Sequence, residues 1–250
     1  MKQSNHSTKV ALVTGASRGI GAATALLLAE QGYAVAVNYH TQHNRAEEVV
    51  NTIRANGGTA SVFQADVANE EDVVSLFTQI QQALGTVTHL VNNAGMLMQQ
   101  ATLPNMSLAR FNQVMQTNVN SCFLCCREAL KNMTTGGAIV NVSSVAAKTG
   151  SPFEYIDYAA SKGAIDTLTK GLALEVADKG IRVNGVRPGF IYTEMHASGG
   201  EPQRVDRLAP AIPMKRGGQA EEVAHSIAWL LSEGASYVTG STLDVAGGRG

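Results

Sequence analysis

Short apolar runs alternate with longer helical patterns along most of the chain. Residues 9–13 (KVALV) are almost wholly apolar and rich in β-branched side chains, which predicts a strand buried on both faces. Residues 22–31 (AATALLLAEQ) predict a helix of strong helix formers, stopped by Gly32. The same alternation predicts strands at 34–39, 59–64, 87–91, 138–142, 181–186 and 237–243. Helices are expected at 42–56, at about 70–83, at 107–133 as one long run, at 154–177 and at 220–232. Asn69 is placed to cap the helix at 70–83, with Glu70, Glu71 and Asp72 in its first turn, where the helix dipole favours acids. Such alternation predicts an α/β fold, a parallel sheet covered by helices on both faces. No linker interrupts it, so one domain over 9–250 is expected, preceded by a flexible tail at 1–8.

Composition narrows the classes. With 250 residues, 44% of them apolar and 16% charged, the chain can bury a sizeable core. A formal charge of −1 gives no general attraction to nucleic acid or to an acidic membrane. No apolar run approaches the ~20 residues needed to span a bilayer. The first residues, MKQSNHSTK, are polar and lack a signal-peptide core, so the cytoplasm is the expected location. Cys122, Cys125 and Cys126 fall at i, i+3 and i+4 of an apolar helical run, a spacing that fits core packing better than metal binding. The six histidines show no ligand spacing, and no metal is expected.

Two patterns carry chemistry. After the first strand comes Thr14-Gly15-Ala16-Ser17-Arg18-Gly19-Ile20-Gly21, then a helix. Strand, glycine turn and helix make a phosphate-binding context: the glycines allow a tight turn and close approach, and the helix start offers free N–H groups. The second pattern is Tyr158-Ala159-Ala160-Ser161-Lys162. Positions i and i+4 share a helix face, so phenol and ammonium point into one site. A lysine charge near the phenol would lower its pKa from ~10 and equip it for proton transfer at a carbonyl or alcohol oxygen. Taken alone, the pair also fits an ordinary surface i,i+4 contact.

Together these motifs resemble the short-chain dehydrogenase/reductase family. The TGASRGIG loop is similar to its cofactor loop, and four further matches follow in the family's order. These are Asn92-Asn93-Ala94-Gly95, Asn118, Ser143-Ser144 with Tyr158 and Lys162, and Pro188-Gly189. The resemblance spans residues 9–247, and within the family it is nearest to the glucose 1-dehydrogenase and 3-oxoacyl-carrier-protein reductase branches. It implies a single Rossmann-type doubly wound sheet of about seven strands in the order 3-2-1-4-5-6-7.

The resemblance also implies a nicotinamide cofactor and roles for residues. Gly15, Ser17, Arg18, Gly19, Ile20 and Gly21 would cradle the phosphates. Asp66 and Val67 would flank the adenine, and Asn93, Ala94 and Gly95 the adenosine ribose. Pro188, Gly189, Ile191 and Thr193 would hold the nicotinamide end. NAD-preferring relatives carry an acid at the end of the second strand; here that segment, Val37-Asn38-Tyr39-His40-Thr41, has none. NADP(H) is therefore favoured over NAD(H), with Arg18 binding the 2′-phosphate and Asn38, His40 and Thr41 close by, although Arg18 also fits a solvated loop residue. Tyr158 would be the general acid/base, Ser144 would orient the substrate oxygen, with Ser143 as its rival, and Lys162 would tune the phenol and bind the nicotinamide ribose. Asn118 would hold a water linking Lys162 to solvent. Residues 190–216, with Gly199-Gly200 and three prolines, read as a substrate lid. Phe153, Tyr155, Met96 and Leu97 are candidates for the same pocket, while His196 fits a lid surface residue better than a substrate contact.

The implied activity is carbonyl reduction or secondary-alcohol oxidation on a small molecule. A non-catalytic dinucleotide-binding regulator and an epimerase or dehydratase on the same scaffold are the alternatives. A homotetramer is expected, built on the helical runs 107–133 and 154–177, with Phe123, Leu124, Ala164, Leu168 and Leu172 as interface candidates and the C-terminal strand 243–248 at a second two-fold. No nucleic-acid or membrane partner is implied.

Overall fold

Four of the strands are buried at every position, as their mostly apolar runs lead one to expect, with Asn38, His89, Asn92 and Asn141 as buried polar exceptions. The computed structural model describes residues 9–250; the tail expected at 1–8 lies outside the described residues. The strands are β1 (Val10–Val13), β2 (Ala34–Tyr39), β3 (Thr59–Gln64), β4 (His89–Asn92), β5 (Ala138–Val142), β6 (Arg182–Pro188) and β7 (Thr242–Val245). They form one sheet in the order β3-β2-β1-β4-β5-β6-β7, the order that the resemblance implies. All neighbouring pairs are parallel. The α-helices are α1 (Gly19–Glu30), α2 (His43–Ala55), α3 (Glu70–Ala83), α4 (Leu108–Met115), α5 (Ser121–Leu130), α6 (Ala146–Thr149), α7 (Ile156–Val176), α8 (Met195–Ser198), α9 (Arg204–Leu208) and α10 (Ala220–Leu231).

Strand residues alternate between two cores. Ala11, Val13, Val35 and Val37 face α1, α2 and α10, through Leu28, Val50 and Ile227. Val10, Leu12, Ala34 and Ala36 face α3, α5 and α7, through Leu76, Cys125 and Ile165. The three cysteines are buried free thiols of this second core, as their spacing suggests. Asn69 caps α3 by accepting from the Asp72 N–H at 3.0 Å. Among the described residues no helix is long and apolar enough to cross a membrane.

Two predicted elements differ. The run at 107–133 is not one regular helix: Ser107 caps α4, and a π-helical turn, Gln116–Asn120, separates α4 from α5. The extra residue in that turn rotates Asn118 into the interior, a common use of π-turns at functional sites. The last strand begins at Thr242 rather than 237. Asn184 holds the preceding residues in a turn, donating to the Val238 carbonyl (2.8 Å) and accepting from the Ser241 N–H (3.1 Å), and Gly240 there has φ +69°.

The strand order reverses between β1 and β4, which opens a crevice at the carboxyl ends of those strands. The candidate site lies along that edge.

Candidate active site

The glycine loop runs from the end of β1 into α1 and forms one wall of a groove. Gly15 takes φ +61°, and a Cβ there would stand 3.1 Å from Ala94 Cα. A Cβ on Gly21 would stand 2.5 Å from the Gly15 carbonyl oxygen and from Asn93 Nδ2, so this position admits no side chain. Thr14 clasps the loop to the end of β4: its Oγ1 accepts from the N–H groups of Asn93 (3.0 Å) and Ala94 (2.9 Å). Asn93 Nδ2 in turn donates to the carbonyls of Thr14 and Gly15. The first turn of α1 has no acidic side chain and no side-chain cap, so its leading N–H groups remain available to an anion.

The groove, about 410 Å³, is lined by Gly15, Ser17, Arg18, Gly19, Ile20, Asn38, His40, Asp66, Val67, Asn93, Ala94 and Gly95, all of them residues singled out in the sequence. Arg18 and His40 are exposed there, together with Thr41. Asn38 also has a structural part. Its side chain accepts from the Gly15 N–H (3.2 Å) and donates to the carbonyls of Tyr39, Phe63 and Ala65. Those bonds hold the loop in place and occupy the amide. Across the groove mouth Arg45 pairs with Glu194 at 3.0 Å, tying α2 to the segment before α8.

A second cavity, about 340 Å³, adjoins the groove and shares Ile20, Asn93 and Thr193 with it. Ser144, Tyr158, Lys162, Pro188, Gly189 and Ile191 line it. Ser144 follows β5 and Tyr158 lies in the first turn of α7. Burial pushes the Tyr158 phenol up to about 12, while a hydrogen bond with Ser144 opposes the rise. Burial pulls the Lys162 ammonium down to about 8. Lys162 Nζ donates to the Val142 carbonyl at 2.8 Å and lies 5.5 Å from the centre of the Tyr158 ring. In this state burial, not the lysine charge, sets the phenol, against the expectation from the sequence. Both serines line the cavity; Ser143 Oγ is buried and donates to the Lys162 carbonyl (3.1 Å), whereas Ser144 hydrogen-bonds with Tyr158.

Asn118 lies behind these residues. Its amide accepts from the Met96 N–H (2.7 Å) and donates to the Met96 carbonyl (3.2 Å) and Ser161 Oγ (3.0 Å). The side chain thus fixes the loop after β4 against α7. A Cβ on Gly95 would meet both Asn118 Oδ1 (3.3 Å) and Lys162 Nζ (3.6 Å), which places the two side chains on one side of that glycine.

One residue here was not legible in the sequence. Asp157 is buried, accepts from the Tyr158 N–H (2.9 Å) and pairs with Arg110 of α4 at 2.7 Å, which anchors the start of α7. Only its position beside Tyr158 could have drawn notice. Arg204 of α9 is buried, pairs with Glu154 and Glu201, and lies over the rings of Tyr155 (5.0 Å) and Phe190 (5.4 Å). Arg207 holds the Glu201 carboxyl down at about 2. Tyr155 and Leu97 line the cavity, but Met96 lines the groove instead and Phe153 points outward, 80% exposed. His196 also lines the cavity, half-buried, with Nε2 against the Ile191 carbonyl at 3.1 Å; burial lowers its pKa.

Comparison with known proteins gives a consistent picture. A family model described as "Enoyl-(Acyl carrier protein) reductase" matches residues 15–249. The chain is 64% identical to an uncharacterized oxidoreductase, YgfF, of Escherichia coli K12 over 96% of this chain and 99% of that one. It is 41% identical to glucose 1-dehydrogenase 2 of Bacillus subtilis, over 96% and 94% of the two chains. Among solved structures it resembles a metagenomic blue fluorescent protein in complex with NADPH (TM-score 0.90, 35% identity, 96% and 97% covered). A short-chain dehydrogenase of Burkholderia cenocepacia in complex with NADP is as close (TM-score 0.90, 34% identity, 96% and 97% covered). By sheet order, motif set and full-length similarity to these oxidoreductases, the chain belongs to the short-chain dehydrogenase/reductase family.

Proposed function

We propose that the protein is an NADP(H)-dependent oxidoreductase that interconverts a carbonyl and a secondary alcohol, with Tyr158 as general acid/base. The observation that carries this reading is the meeting of Ser144, Tyr158 and Lys162 in a cavity that adjoins the glycine-loop groove. The glycine cradle and the unspent N–H groups of α1 fit a pyrophosphate. The nicotinamide, when bound, supplies or takes up the hydride.

The chain's own residues do the rest. Ser144 Oγ holds the substrate oxygen against the phenol. In reduction Tyr158 donates its proton to that oxygen as the carbonyl carbon gains the hydride, which yields the alcohol. A phenol held up at about 12 stays protonated at neutral pH, the form reduction needs. Oxidation needs the phenolate, so it rises with pH. Lys162 binds the nicotinamide ribose and stabilises the phenolate when it forms. The side-chain amide of Asn118 is occupied within the protein, so the expected water would bind its backbone carbonyl, which also accepts from Ser121 Oγ at 3.4 Å.

NADP(H) is favoured over NAD(H) because β2 ends without a carboxylate and Arg18 and His40 stand exposed at the groove. Two solved relatives carry NADPH or NADP, which supports the same choice. Residues 190–216, including α8 and α9, serve as the substrate lid. We assign a homotetramer: Leu108 (73% exposed), Phe123 and Leu174 leave apolar surface on α4, α5 and α7. Leu124 is buried within the protomer, and Leu168 and Leu172 pack partly against its core, so these three are weaker interface candidates than the sequence implied. Light scattering tests the assembly, and a mass near one chain contradicts it.

The function is tested by following NADPH and NADH oxidation with a panel of aldehydes and ketones, and the reverse reaction with alcohols. Turnover with NADPH, faster than with NADH, is expected. Absence of turnover with every carbonyl and alcohol overturns the reading.

A further inference from the structure

The lining of the substrate cavity is unevenly charged. Among its lining residues are four strong ionic groups: Glu154, Lys162, Arg204 and Arg249. Lys162 is turned to the Val142 carbonyl at the cofactor end. Arg204 is neutralised by Glu154, with an Nη1–Oε1 distance of 2.9 Å, and by Glu201 at 3.3 Å. Glu201 is shared with Arg207. This cluster of two arginines and two glutamates balances internally.

Arg249 is outside it. Its guanidinium lies over the Phe190 ring, 5.0 Å from the centroid, and meets no carboxylate among the described residues. The acid nearest to it in sequence, Asp244, is already paired with Lys148 (2.8 Å) and Arg187 (3.2 Å). The Arg249 backbone is also tied back, its N–H donating to the Ala246 carbonyl at 3.1 Å. Arg249 is partly buried, and a guanidinium braced on an aromatic face keeps its planar donor fork free for a carboxylate or phosphate.

We propose that Arg249 is a substrate-specificity residue, and that the preferred substrate is an anionic carbonyl compound whose acid group binds Arg249 while its carbonyl oxygen lies between Ser144 and Tyr158. The inference rests on the reductase reading above and adds the substrate class to it. Neutral ketones of the same size fill the same cavity but leave the guanidinium without a counter-charge. A charge-assisted hydrogen bond of this type corresponds to a preference of about 10- to 100-fold.

The test compares kcat/KM, with NADPH, for pyruvate, acetoacetate and levulinate against their methyl esters, and for dihydroxyacetone phosphate against dihydroxyacetone. The three keto acids vary the distance from carbonyl to carboxylate; the last pair asks whether phosphate replaces carboxylate. At least one acid is expected to exceed its neutral partner by about 10-fold or more. Arg249→Gln is expected to remove most of that ratio, and Arg249→Lys to keep part of it, with the thermal melting of the parent retained in both. Neutral compounds reduced as well as their acids, or an acid preference untouched by Arg249→Gln, overturns this inference and leaves the reductase reading standing. No turnover of any carbonyl overturns the reductase reading, and this inference with it.

Discussion

The cofactor groove and the substrate cavity lie side by side but are built in opposite ways. The groove is held by backbone hydrogen bonds. Residues 15–20 and 93–95 form one wall, clasped to each other through Thr14, Asn38 and Asn93, and the ends of β2 and β3 and residues 193–198 complete the lining. The cavity rim is assembled from distant segments, 149–155, 190–208 and the C-terminal Arg249, held by an ion-pair cluster and by rings stacked under arginines. The rim also holds backbone that the groove reserves for glycine: Ser151 has φ +41° and Phe153 φ +68°. A groove for a common ligand is written in backbone geometry, whereas the cavity is written in side chains from remote positions.

Helix α7 carries Tyr158 and Lys162 into the cavity, and its anchor offers the largest effect. Removing Arg110 leaves the Asp157 carboxylate buried without its partner, just before Tyr158. Arg110→Ala is expected to lower unfolding free energy by about 3–5 kcal/mol in a urea titration, and turnover should fall along with it. A loss within experimental error would mean that α7 is positioned by its packing alone.

A second test addresses the sheet beneath the groove. His89 of β4 is buried against Tyr33, and burial, aided by the charges of Lys9 and Arg182, lowers its pKa to about 4. The unfolded chain therefore binds a proton first as pH falls. The stability contribution is complete above the unfolded value of ~6.5 and is lost between there and about 4, a change on the order of 3 kcal/mol. Denaturation midpoints measured across that window should fall in the parent and flatten in His89→Gln.

The glycine loop is the next in size. Gly21→Ala places a Cβ where the Gly15 carbonyl already stands. It is expected to cost about 1–3 kcal/mol of stability and to weaken NADPH more than it weakens any carbonyl substrate, as read by calorimetry and by KM. Equal losses at both sites would erase the distinction between groove and cavity. The smallest effect belongs to Arg18. It makes no ion pair among the described residues, and Arg18→Ala should cost NADPH about tenfold in affinity and NADH almost nothing.

What the sequence made legible follows the same division. Seven strands were readable as short, mostly apolar runs, and the glycine turn because a phosphate cradle needs glycine at fixed places; the strand order and the remaining groove residues were implied by the family resemblance alone. The π-turn at Gln116–Asn120 was not readable, since a one-residue insertion leaves the helical pattern of 107–133 intact. Asn38 was expected beside the cofactor; only the structure shows its amide also bonded to four backbone groups. Phe153 looked like a pocket residue, and its positive φ turns it outward. The Arg204 cluster joins residues about 50 positions apart, a pairing that no periodicity announces.

The central claim is that groove and cavity divide the labour, the first binding NADP(H) and the second moving the proton through Tyr158. It is tested most directly by Tyr158→Phe, with NADPH affinity measured by calorimetry and turnover by NADPH oxidation on the same preparation. The account expects affinity within about threefold of the parent and turnover lower by at least ~10²-fold, the scale of general acid–base catalysis. Near-normal turnover in the folded variant, or a loss of NADPH binding that accounts for the whole defect, would contradict it.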